Sequence, residues 1–561
     1  MGRSVADPLA SEVIKDWERY DGERGTWKSH CQKVALYLDP DRADFTTENS
    51  PGQKRMQYVF DASPLFAHEV GAVGLHSSLT SDTMPWFSTV PDNERLAADG
   101  DVRAWFAAAD AADYAVFNNP ERNFATQSHQ VYLDLLGYGG AAMGLLDGRT
   151  GALFTNRHLA ECCFAENEED RVDQLSRRWQ WTAKQAVDQW QGAAGDKANK
   201  AVADGKDNEK FWFHHRVKPR AQAKRDPLRA DGKHKPFESV YVAEADQIVI
   251  SEGGFDGFPY LCPRLSKRTV QDVMGRGRGF MMLPDIKMLN SLAREVIFGV
   301  EIANRPPMQL PDDGYIVPIK QVPGSLNYYR AGLRPTDRIG PILTGANPPI
   351  GLDFMTRLET KIERGFFNNL LVTPADPDDP ASAGKGVTAT FTARQQQQET
   401  RQLSAINARL NAEWTAPLVE RMRAMNWRKS VAMRFGPGSP YPPPPPQLSG
   451  MRWHSEFKSP IALAQRAAEM TAIDQLWQRQ LLMRQIDPEG PLILDSEATL
   501  RLEARDLNAP PEILKSPRVL QAEAALKAQM AQQQHQAQIA EQGTGAVANL
   551  AGAQAQMQRA A

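Results

Sequence analysis

Apolar residues recur at three- and four-residue steps over much of this chain, and the clearest pattern lies between Leu283 and Leu371. Ile286, Leu289, Ala293, Val296 and Val300 mark one face of a helix predicted from Leu283 to about Asn304. Pro284 is placed in its first turn, where no N–H is needed, and Asp285 at the positive end of the helix dipole. Pro306-Pro307 stops it. A second helix is expected from about Gly351 to Leu371, with Met355, Leu358, Ile362, Phe366 and Leu370 as its stripe. Each helix would be about 30 Å long at ~1.5 Å per residue. Phe354 and Phe367 lie off that stripe and call for cover from a neighbouring subunit. Between the helices, Arg305–Pro349 is rich in Pro and Gly, with β-like runs such as Tyr315-Ile316-Val317. It reads as a small β-containing tip on two struts. Tyr328 and Tyr329 are contact candidates there, because tyrosine is enriched at interfaces; the alternative packs them within the tip.

Elsewhere the pattern predicts one or two helices over 5–38, anchored by Trp17, Tyr20, Trp27, Val34 and Tyr37. A strong helix follows over 63–79, with Ser63 as N-cap, Pro64 in the first turn, and Phe66, Val70 and Val73 as a buried stripe. An extended segment begins at Pro85-Trp86-Phe87, and helices are expected over Arg95–Val116 and Phe124–Gly137, broken by Gly139-Gly140. Ala141–Leu146 and Ala152–Thr155 suit a hairpin around Asp147-Gly148. Strands are expected over 211–217 and 237–250. The basic stretch between them, 218–236, reads as a solvated loop or as a contact with nucleic acid or an acidic neighbour. Residues 1–280 thus read as one mixed α/β mass. Thr373–Thr388 is a loop of acids, prolines and small residues. Residues 389–428 are expected to be helical on Leu403, Ile406, Leu410, Trp414 and Leu418. Pro442–Pro446 suits a polyproline spacer between lobes. Residues 460–507 read as helix interrupted by Pro488, Gly490 and Pro491. The Ala- and Gln-rich tail reads as thin helix suited to a barrel of copies, then as disorder past Gly543.

A chain of 561 residues, 42% hydrophobic and 24% charged, has enough apolar sequence for a large core in several domains. The net charge of −3 advertises no global grip on nucleic acid, though it allows DNA to slide past. Four cysteines, two of them the adjacent Cys162-Cys163, make no disulfide ladder and suit a reducing, cytoplasmic setting. The polar N-terminus has no apolar signal core, Ala6 departs from the myristoylation pattern, and no apolar run nears the ~18 residues of a membrane helix. A soluble protein with no membrane partner is expected.

Catalytic and cofactor motifs are not recognised. Gly275, Gly277 and Gly279 stand as GRGRG, not as a G-x-G-x-x-G loop, and Ala383–Gly386 lacks the Ser or Thr of a P-loop. His214-His215 is an adjacent pair whose side chains diverge. His158, Glu161 and Cys162 lack further ligands at familiar spacing. No G-x-S-x-G elbow occurs. Asp312-Asp313 and Asp378-Asp379 suit loops better than a metal site. No catalytic residue, metal ligand or cofactor is expected.

Several long segments resemble the portal (head-to-tail connecting) proteins of short-tailed bacteriophages. They are VFDASPLFAHEVGAVGLHSSLTSDTMPWF at Val59–Phe87, RVDQLSRRWQWTAKQAVDQW within 166–191, GRGFMMLPDIKMLN at Gly277–Asn290, PPMQLPDDG at Pro306–Gly314, and NPPIGLDFMTRLETKIERGFFNNLL at Asn347–Leu371. The resemblance implies an α+β, mostly helical, multi-domain portal fold. It would divide as 1–280 wing, 281–304 first stem helix, 305–349 clip, 350–372 second stem helix, 373–388 tunnel loop, 389–436 wing helices, 437–515 crown and 516–561 barrel helix and tail. Ile286, Leu289, Val296, Val300, Met355, Leu358, Ile362 and Phe366 would pack the stem. Tyr328 and Tyr329 would lie at the clip interface. Asp376, Asp378 and Asp379 with Lys385 would face the channel, where an acidic loop keeps DNA mobile.

The implied function is structural and non-enzymatic: a ring of twelve copies at one capsid vertex, through which double-stranded DNA is packaged and ejected. The implied partners are other copies, the DNA, the terminase large subunit, a tail adaptor, and the major capsid and scaffolding proteins. The implied location is the virion, after assembly in the host cytoplasm. The alternatives are a DNA-processing enzyme of the packaging machine, or a capsid scaffold or internal core protein.

Overall fold

The computed structural model describes residues 7–304 apart from a few loop positions, 308–309, 340–341, 348–371, 405–457 apart from two positions, 473–483, and scattered positions from 499 on. Tyr328, Tyr329, Asp376, Asp378, Asp379, Lys385 and most of the C-terminal tail lie outside the described residues, as does most of the expected crown. The fold is mixed α+β and divides into two compact units, one of Met1–Trp86 with Ala115–Met425, the other of Phe87–Tyr114 with Asn426–Ala561. Residues 1–280 therefore contribute to both.

In the first unit, helices α1 (Pro8–Glu23) and α2 (Gly25–Leu38) meet at Arg24. Asp7 caps α1 by accepting from the Leu9 N–H at 2.9 Å. The buried Arg24 guanidinium donates to the carbonyls of Leu159 and Cys162 at 2.7 and 2.6 Å, fastening the helical corner to the sheet behind it. That sheet is an antiparallel meander, β4 (Cys162–Glu166), β5 (Val172–Thr182), β6 (Lys210–Pro219), β7 (Phe237–Ala243) and β8 (Ile248–Phe255), in chain order. Its side chains alternate between faces. Val240 and Val242 pack with Ala10 and Val13 of α1. Trp179, Phe213 and Ala243 pack under α6 (Ala183–Trp190) and α7 (Asp196–Ala203).

A smaller sheet holds β2 (Met143–Gly148) between β3 (Gly151–Asn156) and β9 (Tyr260–Leu261). The expected hairpin is present, but its ladder runs two residues further. Asp147 and Gly148 are still in the ladder, opposite Ala152 and Gly151.

The glycines around 139 and 277 are explained by packing. Gly139 has φ +97°, and a Cβ there would overlap the backbone of Arg276 and Gly277. A Cβ on Gly277 would come within 2.6 Å of the Gly137 carbonyl oxygen. The GRGRG run thus lets two chain segments touch backbone to backbone beyond α5 (Phe124–Gly137). A π-helical turn at Asn411–Thr415 then leads into α11 (Ala416–Ala432), with Leu410, Trp414 and Leu418 wholly buried.

In the second unit, β1 (Phe87–Pro91) pairs antiparallel with β12 (Trp453–Phe457). Val102, Trp105, Phe106 and Ala109 of α4 (Gly100–Phe117) pack with Tyr441 and Leu448. The Tyr441 hydroxyl donates to Asp113 at 2.5 Å, and the Trp105 indole N–H donates to the Pro442 carbonyl at 3.0 Å. The proline run is therefore not a free spacer. Buried residues at both of its ends bind it into this core.

Candidate assembly surface

The paired struts are present with altered ends. Helix α8 runs Arg278–Asn304, so Pro284 is its seventh residue rather than a first-turn proline. The helix starts earlier because Gly279 has no side chain to collide with the Gly137 carbonyl and Val34. Helix α9 runs Pro348–Gly365, and a short α10 (Asn368–Leu371) follows. The expected single helix is broken by Phe367, which has φ 66°. A two-residue ladder pairs β10 (Met308–Gln309) with β11 (Gly340–Pro341) near the far ends of the struts.

Three contacts fix an antiparallel register between α8 and α9. A Cβ on Gly351 would meet the Val296 side chain at 2.7 Å, Lys361 Nζ reaches Asp285 at 2.8 Å, and Gly365 lies against Met282. The outermost contacts on α9 are 14 positions apart, or about 21 Å at 1.5 Å per residue. Ile286, Leu289, Leu358, Ile362 and Phe366 are buried, while Val296 and Met355 are half-buried. Val300 departs from the expected stripe and is 40% exposed. The register carries it past the start of α9, where no opposing helix covers it. Phe354 is exposed. Phe367 is not: its ring is buried beneath Arg278, so it needs no neighbouring subunit.

Helix α3 (Ser63–Leu79) braces the strut base. Its buried face is small, carrying Ala67, Gly71, Ala72 and Gly74 with Leu75. A Cβ on Gly71 would meet the Phe366 carbonyl at 2.8 Å, so only glycine allows this approach. His68 is buried beside it and donates from Nε2 to the Leu133 carbonyl at 2.8 Å, with the Phe366 ring 5.7 Å away. Desolvation lowers its pKa, opposed by its hydrogen bonds to backbone carbonyls and by the nearby Asp39 and Glu69.

The expected buried stripe of α3 is reversed. Phe66, Val70 and Val73 are 69, 37 and 52% exposed. Close packing selected the small residues for the inside and left the larger apolar ones outside. Ser63 is the first helical residue rather than the cap, and its N–H donates to Asp61 at 2.7 Å. The sequence reading also missed Asn290. Its buried Oδ1 accepts from the Phe60 N–H at 2.8 Å and so ties the leader of α3 to α8. An isolated polar residue on a helix face carries no signal of such a partner.

Other singled-out residues among those described have internal partners. His214 bonds Glu244 at 2.9 Å, whereas His215 faces the other way and bonds Tyr260 and Ser239 at 2.8 and 2.9 Å. His158 bonds the Arg42 carbonyl and Glu161 pairs with Arg177. In the basic stretch 218–236, Arg220 is buried and donates to the Gly253 carbonyl, while Lys233 and Lys235 pair with Glu252 and Asp256. Among the described residues no group of His, Cys, Asp and Glu is placed to hold a metal ion, and no helix is long and apolar enough to cross a membrane.

Order and spacing along the chain decide its family. The family model described as bacteriophage head to tail connecting protein matches residues 10–514. The chain belongs to this family. This connecting protein is 26% identical over 554 residues to the probable portal protein of Bordetella phage BPP-1, covering 96% of this chain and 94% of that one. It is 23% identical over 485 residues to the portal protein of Salmonella phage epsilon15, covering 84% and 82%. The match takes in both struts, α3 and the meander sheet, so the exposed apolar positions above belong to a connecting protein.

Proposed function

We propose that the chain is a portal subunit, a structural and non-enzymatic component of the virion. Twelve copies form a ring at one capsid vertex that joins head to tail and passes double-stranded DNA inward during packaging and outward during ejection. The single observation that carries this reading is the family match over residues 10–514. The strut pair supports it, because a rigid helical hairpin about 20 Å long can repeat around an axis as a channel wall.

In this reading α8 and α9 form the stem, and residues 305–349, with Tyr328 and Tyr329, dock the terminase large subunit and later the tail adaptor. Residues 373–388 form the tunnel loop. Its three aspartates, Asp376, Asp378 and Asp379, against Lys385 give each copy a net charge of −2 from these four residues. That charge repels phosphate, whereas a lysine-rich wall facing 6–10 phosphates would bind in a strongly salt-dependent way. The outer parts of the ring meet the major capsid and scaffolding proteins.

The test is complementation. Capsids assembled without this chain should hold no DNA and carry no tail, and supplying the chain should restore both. Normal filling and tailing without it would overturn the reading. The loop assignment has its own test, the joint change of Asp376, Asp378 and Asp379 to Lys. Packaging by intact rings should slow, with the defect easing as salt rises.

A further inference from the structure

The α8–α9 pair has two flanks of different chemistry. On α9, Lys361 and Glu359 are two residues apart and therefore lie on opposite sides of the helix. Lys361 marks the first flank through its bridge to Asp285 of α8. Arg357 and Arg364 lie one turn to either side of Lys361, and Phe354 two turns away, on the same edge. On α8, Met281 and Met288 flank Asp285 in the same way, and these two methionines and Phe354 are each close to half exposed. The first flank is thus an apolar surface whose α9 edge carries three cations, of which Arg357 also pairs with Asp353 of the same helix at 2.9 Å.

Glu359 marks the second flank, with Glu363 one turn further on. Burial raises the Glu359 pKa, and the carboxylates of Asp61 and Glu363 raise it further. Asp61 leads into α3, which packs beside α9 and turns Phe66, Val70 and Val73 outward. The one cation on this side of α8 that contacts the leader, Arg294, lies over the Phe60 ring. The second flank is therefore apolar with an acidic edge. Among the described residues Glu359, Glu363 and Arg364 have no ion-pair partner within the chain. Monomeric proteins seldom expose contiguous apolar patches beyond a few hundred Å², and here two such surfaces carry opposite charge. A surface that meets a different surface on an identical copy generates rings when the rotation closes.

We propose that these flanks are the two halves of one head-to-tail contact between copies of this chain. The Arg357–Arg364 edge, with Met281, Met288 and Phe354, meets the Glu359–Glu363 edge and the outer face of α3 on the next copy. The proposal rests on the ring reading and adds which side chains meet. The second copy is the occupant because the charges are complementary within one sequence.

The experiment uses two full-length variants, Glu359→Lys with Glu363→Lys, and Arg357→Glu with Arg364→Glu. Lys361 stays, because its bridge to Asp285 joins α9 to α8, whereas the Arg357–Asp353 pair lies within α9. Circular dichroism and thermal melting establish that both fold. Each variant alone places like charges across the contact and should sediment as a 62.3 kDa monomer. A 1:1 mixture restores attraction at every contact and should give closed rings of alternating subunits. Rings from either variant alone at wild-type efficiency, or no assembly from a mixture of the two folded variants, would overturn the proposal. Absence of rings from the wild-type chain would instead remove the ring reading beneath it. A second probe is Val73→Cys. All four native cysteines are buried, so its thiol is the one to follow. It should react freely in the monomer and at least tenfold more slowly in the ring; equal rates would also overturn the proposal.

Discussion

The guanidinium of Arg278 lies 4.0 Å above the ring of Phe367. The first residue of α8 thereby closes over the residue at which the chain leaves α9. Phe367 holds a left-handed backbone, φ 66°, that phenylalanine seldom adopts. Burial of its ring and the cation above it offset that cost. Phe367→Ala should destabilise the subunit by about 3 kcal/mol, and Arg278→Ala by about 1 kcal/mol. Urea unfolding of the dissociated subunit measures both. A Phe367→Ala loss below that of Arg278→Ala would show that the ring does not anchor the corner.

Two glycines should respond in opposite senses. Gly139→Ala forces a Cβ into the backbone of Arg276 and Gly277 at φ +97°, and should cost several kcal/mol or prevent folding. Gly299 lies inside α8 with open space around its Cβ position. Gly299→Ala should therefore stabilise the isolated subunit by about 0.5–1 kcal/mol. Thermal melts of the two variants test the pair, and a destabilised Gly299→Ala monomer would contradict the local geometry.

Two carboxylates give opposite pH dependences. Glu244 is held down to about 2: burial acts against this, but hydrogen bonds from His214 and Arg178 and the Arg178 charge outweigh it. Its stabilising contribution is present above about pH 4.5 and is lost as pH falls towards 2, worth about 1–2 kcal/mol after solvent screening. Asp134 is pushed up to about 6 by desolvation, partly offset by Arg42. It keeps its proton in the folded state where the unfolded chain has lost it. Its contribution to stability therefore falls as pH rises from about 4 to 6. Glu244→Gln should flatten the acid limb of the stability curve, and Asp134→Asn the segment between pH 4 and 6. Unchanged slopes would contradict these assignments.

Removing the Asn290 side chain should free the leader of α3 while sparing the struts. Asn290→Ala leaves the part-buried Phe60 N–H without its acceptor, at a cost of about 1 kcal/mol. Hydrogen exchange should speed up at Phe60 and Asp61 more than at Leu289. Uniform acceleration along α8 would assign Asn290 to the helix rather than to the leader.

Periodicity made most helices legible, α3 and α5 to the residue, because a three- to four-residue apolar repeat specifies a helix whatever it packs against. It chose the wrong face of α3 as the inside, the one with Phe66, Val70 and Val73. Both faces are apolar, and the choice was made by the close approach of Gly71 to Phe366. The strut stripe was readable where α9 covers α8 and failed at Val300, where cover ends. The corner at Phe367 was hidden because its conformation depends on Arg278, distant in sequence. GRGRG could be dismissed as a nucleotide loop, but its role was visible only once Gly139 stood against it. The buried arginines Arg24, Arg216 and Arg264 had no sequence signal either, since their acceptors come from segments far along the chain.

The central claim is that this chain closes into a ring around a channel. The most direct measurement is electron microscopy of the purified, full-length protein, with its mass determined in solution. Closed rings with an open centre, at twelve times 62.3 kDa, are the predicted result. A stable 62.3 kDa monomer at every concentration and salt, or assemblies without a central opening, would contradict it.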